Sequence, residues 1–187
     1  VHLQWVADTR DMGLLPEAEI ERREQSVESR YAILNGSDGL ALMQRLRDTA
    51  NLTDPSALAK ALSDQDAGVR YWAATGLGNG RVSDQAILEK LVDLLEDKTA
   101  AVRVAAARAL CHAGKPEEAL PVLANVLADG AQWARLQAAI VFDEIDNLAY
   151  PHIPLLQRCL SDQPNKYITR VANRALNDLL GTAYVTK

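Results

Sequence analysis

At 187 residues, 48% of them hydrophobic, the chain is long enough to bury the core of one domain or of a short repeat array. Its net charge of -5 is spread over interspersed acidic and basic residues, which excludes a long positive stripe and argues against nucleic acid as a partner. No apolar run approaches the ~20 residues of a membrane span, and the opening VHLQWVADTR has neither the basic region nor the apolar block of a signal peptide. Two cysteines, Cys111 and Cys159, are too few for a disulfide framework.

Aromatic residues are scarce and alanine and leucine abundant, a balance that predicts an all-α protein packed through small and medium side chains. In chain order, LLPEAEIERREQ reads as a polar helix opening near Pro16, and Val27 to Leu34 as a second short helix. Residues 1–37 are expected to form an irregular N-terminal helical cap or junction. Trp5, Met12, Leu14 and Leu15 are its apolar candidates for an inter-domain contact. The start without methionine suggests a processed protein or a piece of a longer one. Residues 38–187 are expected to form a repeat solenoid, with SDGLALMQRLRDTANL as a divergent first unit, and no internal boundary is evident, so the chain reads as a single structural domain overall.

From there a repeat takes over. Leu-x-Asp recurs at Leu62/Asp64, Leu95/Asp97, Leu127/Asp129 and Leu160/Asp162, with spacings of 33, 32 and 33 residues. An arginine follows six residues after the first three aspartates, at Arg70, Arg103 and Arg135. In the fourth copy Arg170 follows after eight, past the insertion-like QPNKY. Each unit reads as two helices. The first has apolar residues at helical spacing, among them Leu58 and Leu62, Leu88, Leu91, Val92 and Leu95, Leu123 and Leu127, and Leu156 and Leu160. The second is alanine-rich, as close stacking requires. Asp66 and Thr99 are placed as N-caps, Gly78 and Gly114 as left-handed C-terminal caps, and Pro116 in the first turn of a helix.

The repeated aspartates and arginines predict a structural ladder of charge-assisted hydrogen bonds between layers, comprising Asp64, Arg70, Asp97, Arg103, Asp129, Arg135, Asp162 and Arg170. Tyr71 and Trp72 do not recur in the next unit, where Val104 and Ala105 stand, so they are candidates for partner or inter-domain contacts. Cys111, His112, His152 and Cys159 have the residue types of a zinc site without its spacing. The glycines of GLGNG end a helix instead of following a strand, so they form no phosphate loop. No catalytic residue, metal ligand or cofactor is assigned, and the chain is read as not itself an enzyme.

The two-helix unit, with its turn aspartate and early arginine, resembles the HEAT-like family of α-solenoids. The resemblance implies a right-handed α-α superhelix of about four clear two-helix repeats. TRDMGLLPEAEIERRE, DAGVRYWAATGL, AAVRVAAARALCHAG and QWARLQAAIVFDEIDNLA, in that order, further resemble the C-terminal HEAT-like region of certain bacterial sulfatases. The C/S-x-P-S-R motif of those enzymes is missing. The resemblance therefore implies a noncatalytic accessory domain that contacts its own catalytic domain or another protein. Formylglycine, calcium and sulfate-ester hydrolysis would lie upstream, with a periplasmic or secreted setting. The alternatives are a free-standing HEAT-like adaptor or chaperone and a HEAT-like DNA glycosylase, whose basic binding face the charge balance opposes.

Overall fold

The computed structural model describes residues 37–161 and 165–182. The described helices are α1 (Ser37–Ala50), α2 (Pro55–Ala61), α3 (Ala67–Asn79), α4 (Gln85–Asp93), α5 (Ala100–His112), α6 (Pro116–Asp129), α7 (Gln132–Glu144), α8 (Ile153–Arg158) and α9 (Lys166–Leu180). A 3-10 turn, Leu94–Glu96, extends α4, and another, Asp146–His152, leads into α8. Among the described residues every regular element is helical, giving an all-α solenoid.

The even-numbered helices are the first helices of successive units and the odd-numbered ones the second. The second helices pack directly on one another from α1 through α9, while the first helices make their principal contacts with second helices. α6, for example, lies against both α5 and α7. α1 thus takes the place of a second helix in the stack, extending the layer by one helix beyond the four pairs.

Small side chains make this layer possible. Ala73 and Ala74 of α3, Ala106, Ala107 and Ala109 of α5, and Ala138 and Ala139 of α7 are wholly buried. Between these layers sit the larger residues Leu77, Leu91, Leu110, Leu123, Phe142 and Leu156. Burying one such side chain contributes about 1.5–3 kcal/mol, so the seam between units is where the fold gets its stability. Val92 and Leu160, read as core residues, are exposed. The chain leaves α-geometry at Leu94 and at Cys159, which turns the buried face to Leu95 and Cys159 instead.

The helix ends also differ in part from the sequence reading. Asp66 caps α3 by accepting the Gly68 N–H at 2.8 Å, and Pro116 opens α6. Thr99 occupies the N-cap of α5, but its hydroxyl is buried without a partner; Asp97 Oδ1 instead accepts the Thr99 N–H at 2.8 Å. Gly114 is left-handed at φ 76°, whereas Gly78 lies inside α3. There it lets Ala109 approach: a Cβ at Gly78 would stand 3.0 Å from the Ala109 Cα. The left-handed residue after α3 is Arg81, at φ 48°.

Candidate functional site

Two surfaces hold the residues of interest: the edge where the turns between paired helices line up, and the outward face of the second helices. At the edge, each aspartate turn is a local product of sequence. Asp64 and Asp97 follow the end of a first helix, and each accepts the backbone N–H two residues on at 2.8 Å, which fixes its carboxylate beside the turn. Arg45, from the middle of α1, donates from Nη2 to both Asp64 oxygens at 2.7 Å. Arg70 Nε and Nη2 grip Asp97 at 2.7 and 3.0 Å, while its Nη1 donates to the Asp64 and Gln65 carbonyls. Both partners of the Arg70/Asp97 pair are nearly buried, at 8% and 7% side-chain exposure, so this is an internal tie between units.

Beyond Asp97 the arrangement changes. Arg103 Nη1 donates to the Asp97 carbonyl at 2.7 Å, and Arg135 Nε donates to the Leu127 carbonyl at 2.9 Å. Asp129 is the last residue of α6 and is exposed. Val69, Val102, Ala134 and Ile168 are buried at one register of the second helices, so the residue equivalent to Arg70 in α9 is Thr169. Arg170 is one position along, exposed, with its guanidinium 5.6 Å from the centroid of the Tyr167 ring. The inserted residues before α9 shift that register. Asp162 lies outside the described residues, as do Trp5, Met12, Leu14 and Leu15.

On the outward face, α7 presents Trp133, Leu136 and Ile140 at helical spacing. Trp133 is 52% and Ile140 46% exposed, with Leu136 half-buried. Tyr167 of α9, at the register of Trp133, is also exposed. Tyr71 and Trp72 of α3 are half-buried and stack edge to face, with centroids 5.3 Å apart; Tyr71 packs against the core. They are the non-recurring aromatics that the sequence singles out, whereas the α7 stripe was missed. Its signal was present: Trp133 stands where earlier units have Gly68 and Ala101.

A charged cluster borders this stripe. Arg108 Nε donates to Glu144 Oε2 at 2.7 Å and its Nη1 donates to Asn79 Oδ1 at 2.9 Å, tying α3, α5 and α7 together. The Arg108 hydrogen bond holds the Glu144 carboxyl below the ordinary carboxylate range. His112 Nε2 lies 3.3 Å from Glu144, and its Nδ1 is 3.1 Å from the Gly78 carbonyl oxygen. Next along α7, burial pushes the Asp143 carboxyl up, while Arg174, 3.5 Å away, pulls the other way.

The cysteines are buried and separate. Desolvation pushes the Cys111 thiol up to about 11, which leaves it protonated at neutral pH. Burial also raises Cys159, against the opposing effect of Arg135. His152 instead packs on Phe142, ring centroids 5.1 Å apart. Among the described residues no three His, Cys, Asp or Glu side chains stand together as metal ligands. No described helix is long and apolar enough to cross a membrane.

Comparison with known proteins agrees with this architecture. The family model for HEAT repeats matches residues 55–143, from the start of α2 to near the end of α7. The crystal structure of an engineered protein is similar at TM-score 0.52 and 20% identity, over 96% of this chain and 88% of that one. At that identity the likeness speaks to the fold. No curated protein matches the chain.

Proposed function

We propose that this chain is a noncatalytic scaffold that binds protein through the outward face of α7 and its neighbours. Exposure of Trp133 and Ile140 on one face of a helix whose other side is fully packed carries this reading. Large apolar anchors ringed by charge are what protein interfaces bury first, and stacked HEAT-type helix pairs offer them on an extended, rigid surface. The partner we favour is a sulfatase catalytic domain in the same polypeptide. The order of the sequence segments supports that choice, while the repeat match and the engineered neighbour are silent on it.

The test is to isolate the native gene product, establish its length, and look for a C/S-x-P-S-R segment upstream. Where that segment is present, Trp133→Ala combined with Ile140→Ala should loosen the accessory region, read as faster limited proteolysis at the junction and lower arylsulfatase activity. A product no longer than this chain removes the sulfatase assignment. Unchanged proteolysis in the double variant removes the α7 face from the interface.

A further inference from the structure

Arg70 and Arg103 occupy the same register of successive helices and hold their own turns alike, each through Nη1 to a backbone carbonyl. Their other edges differ. Nε and Nη2 of Arg70 are filled by the Asp97 carboxylate, whereas the same edge of Arg103 meets no acceptor among the described residues. The reason is local. Asp64 and Asp97 stand in turns that hold their carboxylates in place, but α6 runs on through Ala128 to Asp129 and then into the extended Gly130, leaving Asp129 exposed.

Beside Arg103, between its turn and α6, there is a groove of about 390 Å³, lined by Leu95, Glu96, Arg103, Val122, Asn125 and Val126 among others. We propose that this groove binds a carboxylate side chain of a partner polypeptide, held by the Nε and Nη2 edge of Arg103 as Asp97 is held by Arg70. Asn125 supplies an amide donor from the facing helix, and Leu95, Val122 and Val126 offer apolar surface to the flanking chain. Asp97 also borders the groove, but Arg70 neutralises it. Glu96 is exposed and has no ion-pair partner among the described residues. The groove thus presents one cation and one anion, complementary to a segment in which a single acid adjoins a lysine or arginine. A polyacidic run would meet repulsion from Glu96. This site goes beyond the α7 face and does not depend on it.

The experiment is an NMR titration of the full chain, following the Arg103 Nε–H and the Asn125 side-chain amide, with the peptide Ac-ALEKLA-NH2. Its controls are Ac-ALQKLA-NH2, Ac-ALEELA-NH2 and sodium acetate. The first peptide should shift both resonances and bind about tenfold more tightly than the glutamine peptide, the loss expected for one bidentate charged contact. The two-acid peptide and acetate should both be weaker. Arg103→Gln should abolish the response. Because that change also removes the bond to the Asp97 carbonyl, Asn125→Asp provides a variant that keeps Arg103 and places an internal carboxylate in the groove. It should weaken the peptide about tenfold with Tm unchanged or raised. Equal binding of the glutamine peptide, or undiminished binding by Asn125→Asp, would overturn the site. Acetate binding as tightly as the peptide would overturn the polypeptide assignment. Trp133→Ala should leave the titration unchanged, which separates this outcome from the fate of the α7 face.

Discussion

Two glycines and one carboxyl show how little of this protein's behaviour follows from residue type alone. Gly76 and Gly78 both lie inside α3, where replacing glycine with alanine favours an isolated helix by about 1 kcal/mol. A methyl at Gly76 would meet both methyls of the buried Leu58 side chain, at 3.0 and 3.1 Å, so a side chain must yield; one at Gly78 would meet the Ala109 backbone at 3.0 Å, which has less room to shift. Gly76→Ala should therefore cost less than Gly78→Ala, a difference that paired urea melts will measure. Asp143 gives a pH-dependent case. Its Oδ1 is buried without a hydrogen bond, and desolvation raises its carboxyl above the ordinary 3.8. The folded state then holds that proton more tightly than the unfolded chain, so the penalty is absent below 3.8 and grows as pH rises through the raised value. Asp143→Asn should raise Tm at neutral pH. That advantage should vanish in acid, and a gain independent of pH would show that charge is not the cause.

At the scale of turns and helices, the two gripped aspartates are not equivalent. Arg70 and Asp97 are both nearly buried, so Arg70→Met would strand a desolvated carboxylate and cost about 3–5 kcal/mol. Arg45 is 52% exposed, and Arg45→Met should cost about 1 kcal/mol or less. Denaturant midpoints for the two variants test this, and equal losses would mean that burial does not set the strength of the ties. The ladder was legible as far as spacing determines it: the recurring Leu-x-Asp and arginine placed the Arg70/Asp97 pair on opposite sides of one seam. Spacing did not reveal where each first helix stops. Asp129 differs from Asp97 because α6 continues through it, and Arg170 yields its register to Thr169 because inserted residues shift α9. Arg45 was overlooked because it approaches Asp64 from mid-helix, outside the repeated frame. The outward stripe of α7 escaped for the opposite reason: Trp133 breaks the repeat, and a search for recurrence passes over what occurs once.

Across the whole molecule, the second helices form one continuous layer, and α5 lies at its middle with neighbours in α3, α4, α6 and α7. Most of its residues are buried, so its Ala-rich sequence packs against four helices at once. The Arg108 to Glu144 and Asn79 bonds cross the same layer, joining α3, α5 and α7 on the side away from the aspartate turns. Contacts between neighbouring units thus join at α5, and the two candidate surfaces lie on different sides of a common core.

The Arg70 tie also has a direction: a unit offers a guanidinium forward and receives with a carboxylate behind. A copied segment carrying both could enter the row between the first and second pairs and be joined at either side, like a link with hook and eye. The same copy placed after α5 would find Arg103 ready but would itself be followed by α6, whose aspartate points outward. Either insertion adds one tie and leaves one guanidinium edge unfilled beside α6, so the row can lengthen without changing how it ends.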